Sequence, residues 1–400
     1  MNISPETFRA VKVTDDVYWV GAIDWELKDF HGYSTGRGTT YNAYLILADK
    51  VVLIDTVKRP FLDEMLSRVA SVIEPGEIDY IVSNHSEMDH TGGLPEAIRI
   101  IRPEKVFASS MGVKALPAHF HLKDPLTAVK DGGKLSLGNR TLHFLETRML
   151  HWPDSMMSYL AEEELLFSQD GFGMHLATAD LFADRIDESV LRFEAAKYYA
   201  NILMPYSPLI LKLKERIAQA GLGIKIIAPD HGPIWRKDPL KIVGWYAQWA
   251  EHQPTRKAVI VYDTMWGSTA LMAHALGEGL QAGGAEVKIL PLGKTTRADV
   301  ATEALEAGGL LVGSPTINNG IFPTVADILA YLKGLKPQNL LGLAFGSHGW
   351  SGEGTKILEE NLAAMKVERA LPALRAVYVP TAVDLKACFD AGEAVGRRLA

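Results

Sequence analysis

Asn84-His85-Ser86-Glu87-Met88-Asp89-His90-Thr91-Gly92-Gly93 carries the densest chemistry in the chain. It follows the strand-like run DYIVSN (79–84), so it reads as a loop beyond the C-terminal end of a buried strand, where α/β folds place their sites. His85, Glu87, Asp89 and His90 put four donor side chains within six residues. A single loop histidine would be ordinary surface or core. Two imidazoles and two carboxylates held this close repel and desolvate one another unless a cation joins them.

Three more donors stand in turn-rich settings downstream, each after a strand-like run: His151 in LHWPDS, Asp170 in FSQDGFG and His231 in APDHGPI. Four imidazoles and three carboxylates exceed what one tetrahedral ion takes. One carboxylate shared by two ions, with three private ligands for each, uses all seven. A mixed imidazole and carboxylate set with open positions suits ferrous iron in oxygen chemistry, and manganese or zinc could occupy the same donors. Cys388 is the only cysteine, which excludes an internal disulfide, an iron–sulfur cluster, a rubredoxin-type iron or a Cys-rich zinc knot.

Around this loop the first half of the chain is rich in short β-like runs: VYWVG (17–21), NAYLILAD (42–49), VVLIDT (51–56), DYIVSN and TLHFLE (141–146). Helical patterns at 61–73 and 208–220 interrupt them. Mixed strands with helices outside predict an α/β sandwich. The polar, Pro-containing stretch Glu251-His252-Gln253-Pro254-Thr255-Arg256 predicts a boundary, giving domains 1–251 and 256–400. Beyond it, apolar strand runs alternate strictly with helical runs, from AVIVYD through EVKILP, LLVGS, LGLAFGS and AVYVP (376–380) to a final helix, the signature of a doubly wound parallel sheet.

In that second half, Thr264-Met265-Trp266-Gly267-Ser268-Thr269 links a strand to a helix. Hydroxyls and glycine at such a turn make an anion cradle of backbone N–H groups and the helix N-terminal dipole. With no Walker-type lysine and no G-x-G-x-x-G, one mononucleotide phosphate fits better than a triphosphate or a dinucleotide. Two later loops converge on the same edge: Ser314 to Gly320, with Pro315, Thr316, Asn318, Asn319 and Gly320, and Gly346 to Gly352, with Ser347, His348, Gly349, Trp350, Ser351 and Gly352. The Asn amides can bond the polar edge of a flavin, and Trp350 offers a ring face.

His85-x-Glu87-x-Asp89-His90 with His151, Asp170 and His231 resembles the diiron site of flavodiiron proteins, also called A-type flavoproteins or rubredoxin:oxygen oxidoreductases. Zinc hydrolases of the same fold usually carry His where this chain has Glu87. The likeness extends over GTTYNAYL (38–45), LIDT (53–56), ETRMLHWPDSM (146–156), YYANI (198–202) and the three flavin loops, and so over essentially the whole chain. It implies a metallo-β-lactamase-like αββα sandwich followed by a flavodoxin-like domain. It further implies that His85, Glu87 and His151 bind one iron, that Asp89, His90 and His231 bind the other, and that Asp170 bridges them. In the family the position of His90 is a ligand in some members and displaced by solvent in others. His31 and Tyr198 would approach the open faces of the irons as catalytic residues, and Asp55 would support a metal-bound imidazole. The remaining histidines, His119, His121, His143, His175, His252 and His274, read as structural or surface residues.

The resemblance also implies FMN and two non-haem irons as cofactors. It implies dioxygen or nitric oxide as substrate, and rubredoxin or a reduced deazaflavin coenzyme as donor. The assembly it implies is a head-to-tail homodimer, with a tetramer as the larger form. Flavin and diiron together suit multielectron gas reduction, to water or to nitrous oxide. Two rivals are a zinc hydrolase fused to a flavodoxin domain, against which Glu87 stands, and a non-enzymatic flavodoxin-type carrier, against which the complete ligand set stands.

Composition agrees. The 400 residues are 48% hydrophobic and 22% charged, with 41 Lys+Arg against 48 Asp+Glu and a net charge of −7. An acidic chain without clustered cations is a poor nucleic-acid binder. No apolar run approaches the ~20 residues of a membrane span. Glu6, Arg9 and Lys12 fall where a signal peptide would be apolar, so a cytoplasmic location is expected.

Overall fold

The computed structural model describes residues 7–122 and 126–399, so Glu6 and the start of the N-terminal stretch lie outside the described residues. The chain divides into two compact units. The first comprises residues up to Phe30, Thr35–Tyr198 and Pro208–Ala247; the second comprises His31–Ser34, Tyr199–Ser207 and the chain from Gln248 onward.

Two sheets face each other in the first unit. One has seven strands, in the order Val11–Lys12, Val17–Trp19, Tyr44–Ile46, Val52–Ile54, Tyr80–Ser83, Lys105–Ser109, Thr127–Val129. The other has five, in the order Lys134–Ser136, Thr141–Glu146, Met156–Leu160, Leu165–Gln169, Ile226–Pro229. Alternate residues of both sheets build the core between them: Tyr44, Ile46, Val52 and Ile54 meet Leu142, Phe144, Met156, Leu160 and Phe167, all fully or nearly fully buried. On the opposite face of the seven-stranded sheet, Leu45, Leu53 and Ile81 pack against Leu62, Met65 and Val69 of helix Leu62–Ala70 and Leu94, Ala97 and Ile101 of helix Leu94–Ile101. With apolar residues on both faces, these strands had to read as continuous hydrophobic runs rather than alternating ones.

The second unit has one parallel sheet whose central strands run Glu286–Pro291, Lys257–Tyr262, Gly309–Gly313, Leu341–His348. Leu341–His348 also pairs with Glu368–Arg369 and Leu374–Val377. In chain order this is 2-1-3-4-5, the flavodoxin-like winding, which leaves a crevice at the C-terminal ends of the central strands. One reading is corrected: the last strand is Leu374–Val377 rather than AVYVP (376–380), because Tyr378 turns the chain at φ 59° and is exposed. Among the described residues no helix is long and apolar enough to cross a membrane.

Candidate metal centre

Four strand ends deliver the seven donors. Tyr80–Ser83 runs into the loop of His85 and Glu87, and the short helix Met88–Thr91 turns Asp89 and His90 inward while Met88 stays exposed. Thr91 Oγ1 donates to the Ser86 and Glu87 carbonyls, at 3.0 and 2.8 Å, and closes that turn. Thr141–Glu146 leads to His151, Leu165–Gln169 to Asp170, and Ile226–Pro229 to His231. The loops are stitched together: Met156 N donates to the Asn84 carbonyl at 2.9 Å and Ser158 Oγ to Asn84 Oδ1 at 2.7 Å.

Asp170 stands at the middle. Its Oδ2 lies 2.9 Å from His151 Nε2 and 3.2 Å from His85 Nε2. Its Oδ1 lies 3.5 Å from His231 Nε2 and 3.6 Å from His90 Nε2. Glu87 Oε2 is 3.0 Å from His151 Nε2. Asp89 Oδ2 is 3.1 Å from His231 Nε2 and 3.3 Å from His90 Nε2. The donors form three groups: Glu87–His151–Asp170, Asp89–His90–His231, and His85–His90–Asp170–Asp230, which shares Asp170 with the first and His90 with the second.

These groups suit metal ions. Both oxygens of Asp89 and of Asp170, and both ring nitrogens of His85, are buried without a hydrogen-bond partner. Buried polar atoms left unpaired are costly, so a group that claims them all at once is called for. Imidazole and carboxylate without thiolate match non-haem iron, manganese or zinc. The electrostatics point the same way. Burial disfavours a charged His151, yet Asp170 and Glu87 outweigh it and raise the imidazole to about 9. Burial opposes, and Asp170 with other carboxylates overcomes, the charging of His85, which ends well above the usual range. Asp170 and Asp89 are held well below theirs by His85, His90, His151 and His231, despite burial. Carboxylates thus favour positive charge at His85 and His151, a charge that divalent ions would supply instead.

Of the two expected catalytic residues, Tyr198 is buried in the first unit, its ring 6.2 Å from that of His231. Burial, then Asp170, keeps its phenol protonated far above the usual range. His31 is exposed and groups with the second unit. The imidazole that the first unit packs against His231 and Tyr198 is His175, with centroids at 4.6 and 5.1 Å. His175 is therefore no surface residue: its Nδ1 lies 2.9 Å from Thr39 Oγ1, and burial followed by the His231 charge holds it neutral. Asp55 is also corrected. Its carboxylate accepts from Asn84 N and Nδ2, at 2.7 and 2.6 Å, and so braces the loop rather than an imidazole. The carboxylate that faces imidazoles is Asp230, one residue before His231. The sequence signal for it was proximity alone.

In the second unit a cavity of about 530 Å³ opens at the strand ends. Thr264, Met265, Trp266, Ser268, Pro315, Thr316, Asn318, Asn319, Ser347, His348, Gly349, Trp350 and Ser351 line it, together with Tyr378, which the sequence reading missed. Gly267, Thr269, Gly320 and Gly352 do not line it but hold its loops. Gly267 takes φ 87° at the start of helix Ser268–Ala282, a conformation open to glycine at no steric cost. Thr269 Oγ1 lies 3.3 Å from Ser347 Oγ, and Ile317 and Gly320 exchange backbone hydrogen bonds. A helix N-terminus faces the cavity as a phosphate cradle. Trp266 and Trp350 are 94% and 90% exposed at its rim, large ring faces that suit a flat heteroaromatic ligand such as FMN.

Comparison with known proteins gives the following. A family model described as ODP family beta lactamase matches residues 39–232, and one described as Flavodoxin matches 260–392. A protein named nitric oxide reductase from Moorella thermoacetica is 50% identical over 98% of this chain and 99% of its own. The solved structure of rubredoxin oxygen:oxidoreductase from Desulfovibrio gigas superposes with a TM-score of 0.96 at 46% identity, covering 98% of each chain. That of the flavodiiron protein from Giardia intestinalis superposes with a TM-score of 0.95 at 33% identity, covering 99% of this chain and 98% of that one.

Proposed function

The chain belongs to the flavodiiron proteins, and from that premise we propose that it reduces dioxygen to water, nitric oxide to nitrous oxide, or both, at a pair of non-haem irons. Bound at these sites, two irons would supply gas-binding positions and electrons, and FMN in the second domain would supply the redox link to an external donor, a rubredoxin or a reduced deazaflavin coenzyme. The domains are residues 1–251 and 256–400. His85, Glu87 and His151 would hold one iron, Asp89, His90 and His231 the other, and Asp170 would be shared between them. The observation that carries this reading is the division of Asp170: one oxygen faces His85 and His151, the other His90 and His231.

The chain's own side chains then have definite work. Three carboxylates among the seven donors offset the charge of two divalent ions and leave a site of small net charge in a buried place. Reduction of dioxygen consumes four protons, and coupling of two nitric oxide molecules consumes two. Tyr198, kept protonated by burial and with its ring 6.2 Å from that of His231, is a candidate proton donor. His31 is the second candidate. The loops of Thr264–Thr269, Pro315–Gly320 and Ser347–Gly352 would hold FMN by its phosphate and its ring edge. A head-to-tail homodimer, or a tetramer built from it, would bring the FMN of one subunit to the irons of the other. A cytoplasmic setting suits the lone buried thiol.

Anaerobic stopped-flow of the reduced, metal-analysed protein against each gas tests this reading. Wild-type protein should contain two irons and one FMN and be oxidised by at least one gas over many turnovers. Asp170→Ala should lose iron and turnover and keep the flavin spectrum. Two zinc ions with no gas turnover, or full turnover in Asp170→Ala, would overturn it.

A further inference from the structure

Asp230 is buried, and neither of its carboxylate oxygens has a hydrogen-bond partner. Its backbone is pinned on both sides: the N–H donates to the Gln169 carbonyl at 2.9 Å and the C=O accepts from Asn42 N at 2.8 Å. Asn42 Nδ2 also clamps the flanking Pro229 and Gly232 carbonyls, at 2.7 and 2.9 Å. The carboxylate therefore sits where the backbone puts it. Its Oδ2 lies 3.6 Å from His85 Nδ1 and 3.8 Å from His90 Nδ1. Both of those nitrogens are themselves buried and unpartnered, while the Nε2 atoms of the same rings face Asp170. The two imidazoles thus lie between a carboxylate on the metal side and a second one behind.

We infer that Asp230 is a positioning residue shared by both metal sites, its one carboxylate fixing the tautomer and direction of one imidazole from each ligand set. This inference rests on the two-ion reading above. A ring bound through Nε2 carries its proton on Nδ1, and a carboxylate facing that N–H orients the ring and makes it a stronger donor. Asp55, the other carboxylate in this region, gives each of its oxygens to Asn84. Since His85 and His90 belong to different ions, loss of Asp230 weakens both ions together, whereas loss of a private ligand weakens one.

The experiment is calorimetric titration of the metal-free, FMN-loaded protein with zinc alone. Wild type should take up two ions. Asp230→Asn should bind both about 10- to 100-fold more weakly, and His151→Ala should lose one and retain the other. The metal-free Asp230→Asn protein should keep its flavin and be no less stable than wild type, because neither oxygen of Asp230 makes a hydrogen bond that the change would remove; a merely structural role predicts the reverse. Should Asp230→Asn fail to fold, Asp230→Ala titrated with and without formate replaces it, with affinity restored by formate as the expected result. Wild-type affinity for both ions in Asp230→Asn, weakening of one ion only, or no effect of formate overturns the inference and leaves the two-ion reading standing. A wild type that binds fewer than two ions removes that reading, and this inference with it.

Discussion

Gln169 ends its strand with a left-handed φ of 47° and ties three loops of the metal centre at one point. Its Oε1 accepts from Asp170 N at 2.7 Å, its Nε2 donates to the Leu150 carbonyl at 2.5 Å, and its own carbonyl accepts from Asp230 N. Gln169→Leu leaves a buried N–H beside Asp170 and a buried C=O beside His151 without partners. Each costs ~1–3 kcal/mol. The variant should lose ~2–6 kcal/mol of unfolding free energy for the two groups together, read from urea unfolding, and carry less than two metal ions per chain, with FMN content unchanged. Full metal occupancy would show that the two loops hold their places without the glutamine. The gathering of the seven side chains was legible in the sequence because so many titratable groups in short loops call for a common partner. Gln169, Asp230 and His175 were not, because their roles depend on which groups they meet across the sheet, and the letters around them give no sign of it. Asp55 was misjudged for the same reason: a carboxylate near a metal loop can brace the backbone as readily as an imidazole.

At the scale of elements, apolar runs placed the strands Tyr80–Ser83 and Thr141–Glu146, since a buried strand must be apolar on the faces it covers, while the strands before Asp170 and His231 were read only from the turns that follow them. Apolar runs placed the two short terminal strands of the second sheet less well. Glu368–Arg369 has no apolar residue to betray it, and Leu374–Val377 is followed by exposed Tyr378 and Val379, which extend the apolar run past the last paired residue. Helix contacts were hidden as well. Helices Ser268–Ala282 and Ala382–Leu399 approach so closely that a Cβ on Gly392 would overlap the Leu276 carbonyl and lie 2.9 Å from Leu280 N. Ala favours a helix over Gly by ~1 kcal/mol, but overpacking against backbone costs ~1–3 kcal/mol and has no flexible side chain to yield. Gly392→Ala should therefore lower the urea midpoint of the flavin-binding domain. Gly334→Ala, in helix Pro323–Leu335 with nothing within 4 Å of the added carbon, should raise it or leave it unchanged. Urea unfolding followed by flavin absorbance distinguishes the two, and a stabilised Gly392→Ala would mean that the helices can separate at little cost.

Across the whole molecule the two kinds of chemistry are kept in separate units. Every metal-donor candidate lies in the first unit, and every residue lining the flavin cavity lies in the second. The units also spend polar groups differently. The first buries His85, Asp89, His90, Asp170, Asp230 and His231 at no more than 4% exposure, in a place where most of their polar atoms have no protein partner. That arrangement is unfavourable for the metal-free chain and is repaid when ions bind, by RT ln(1 + [L]/Kd) for each site in the simplest case. At a free metal concentration 100 times Kd the gain is ~2.7 kcal/mol per ion. Exhaustive chelation should accordingly lower the thermal midpoint of the first unit by several degrees and leave the second unit's midpoint, read from flavin release, where it was. Readdition of ferrous iron under anaerobic conditions should restore the first. Equal shifts in both midpoints would show that the flavin domain draws its stability from the metal as well, and no shift in either would mean that the buried donors are satisfied by protons alone.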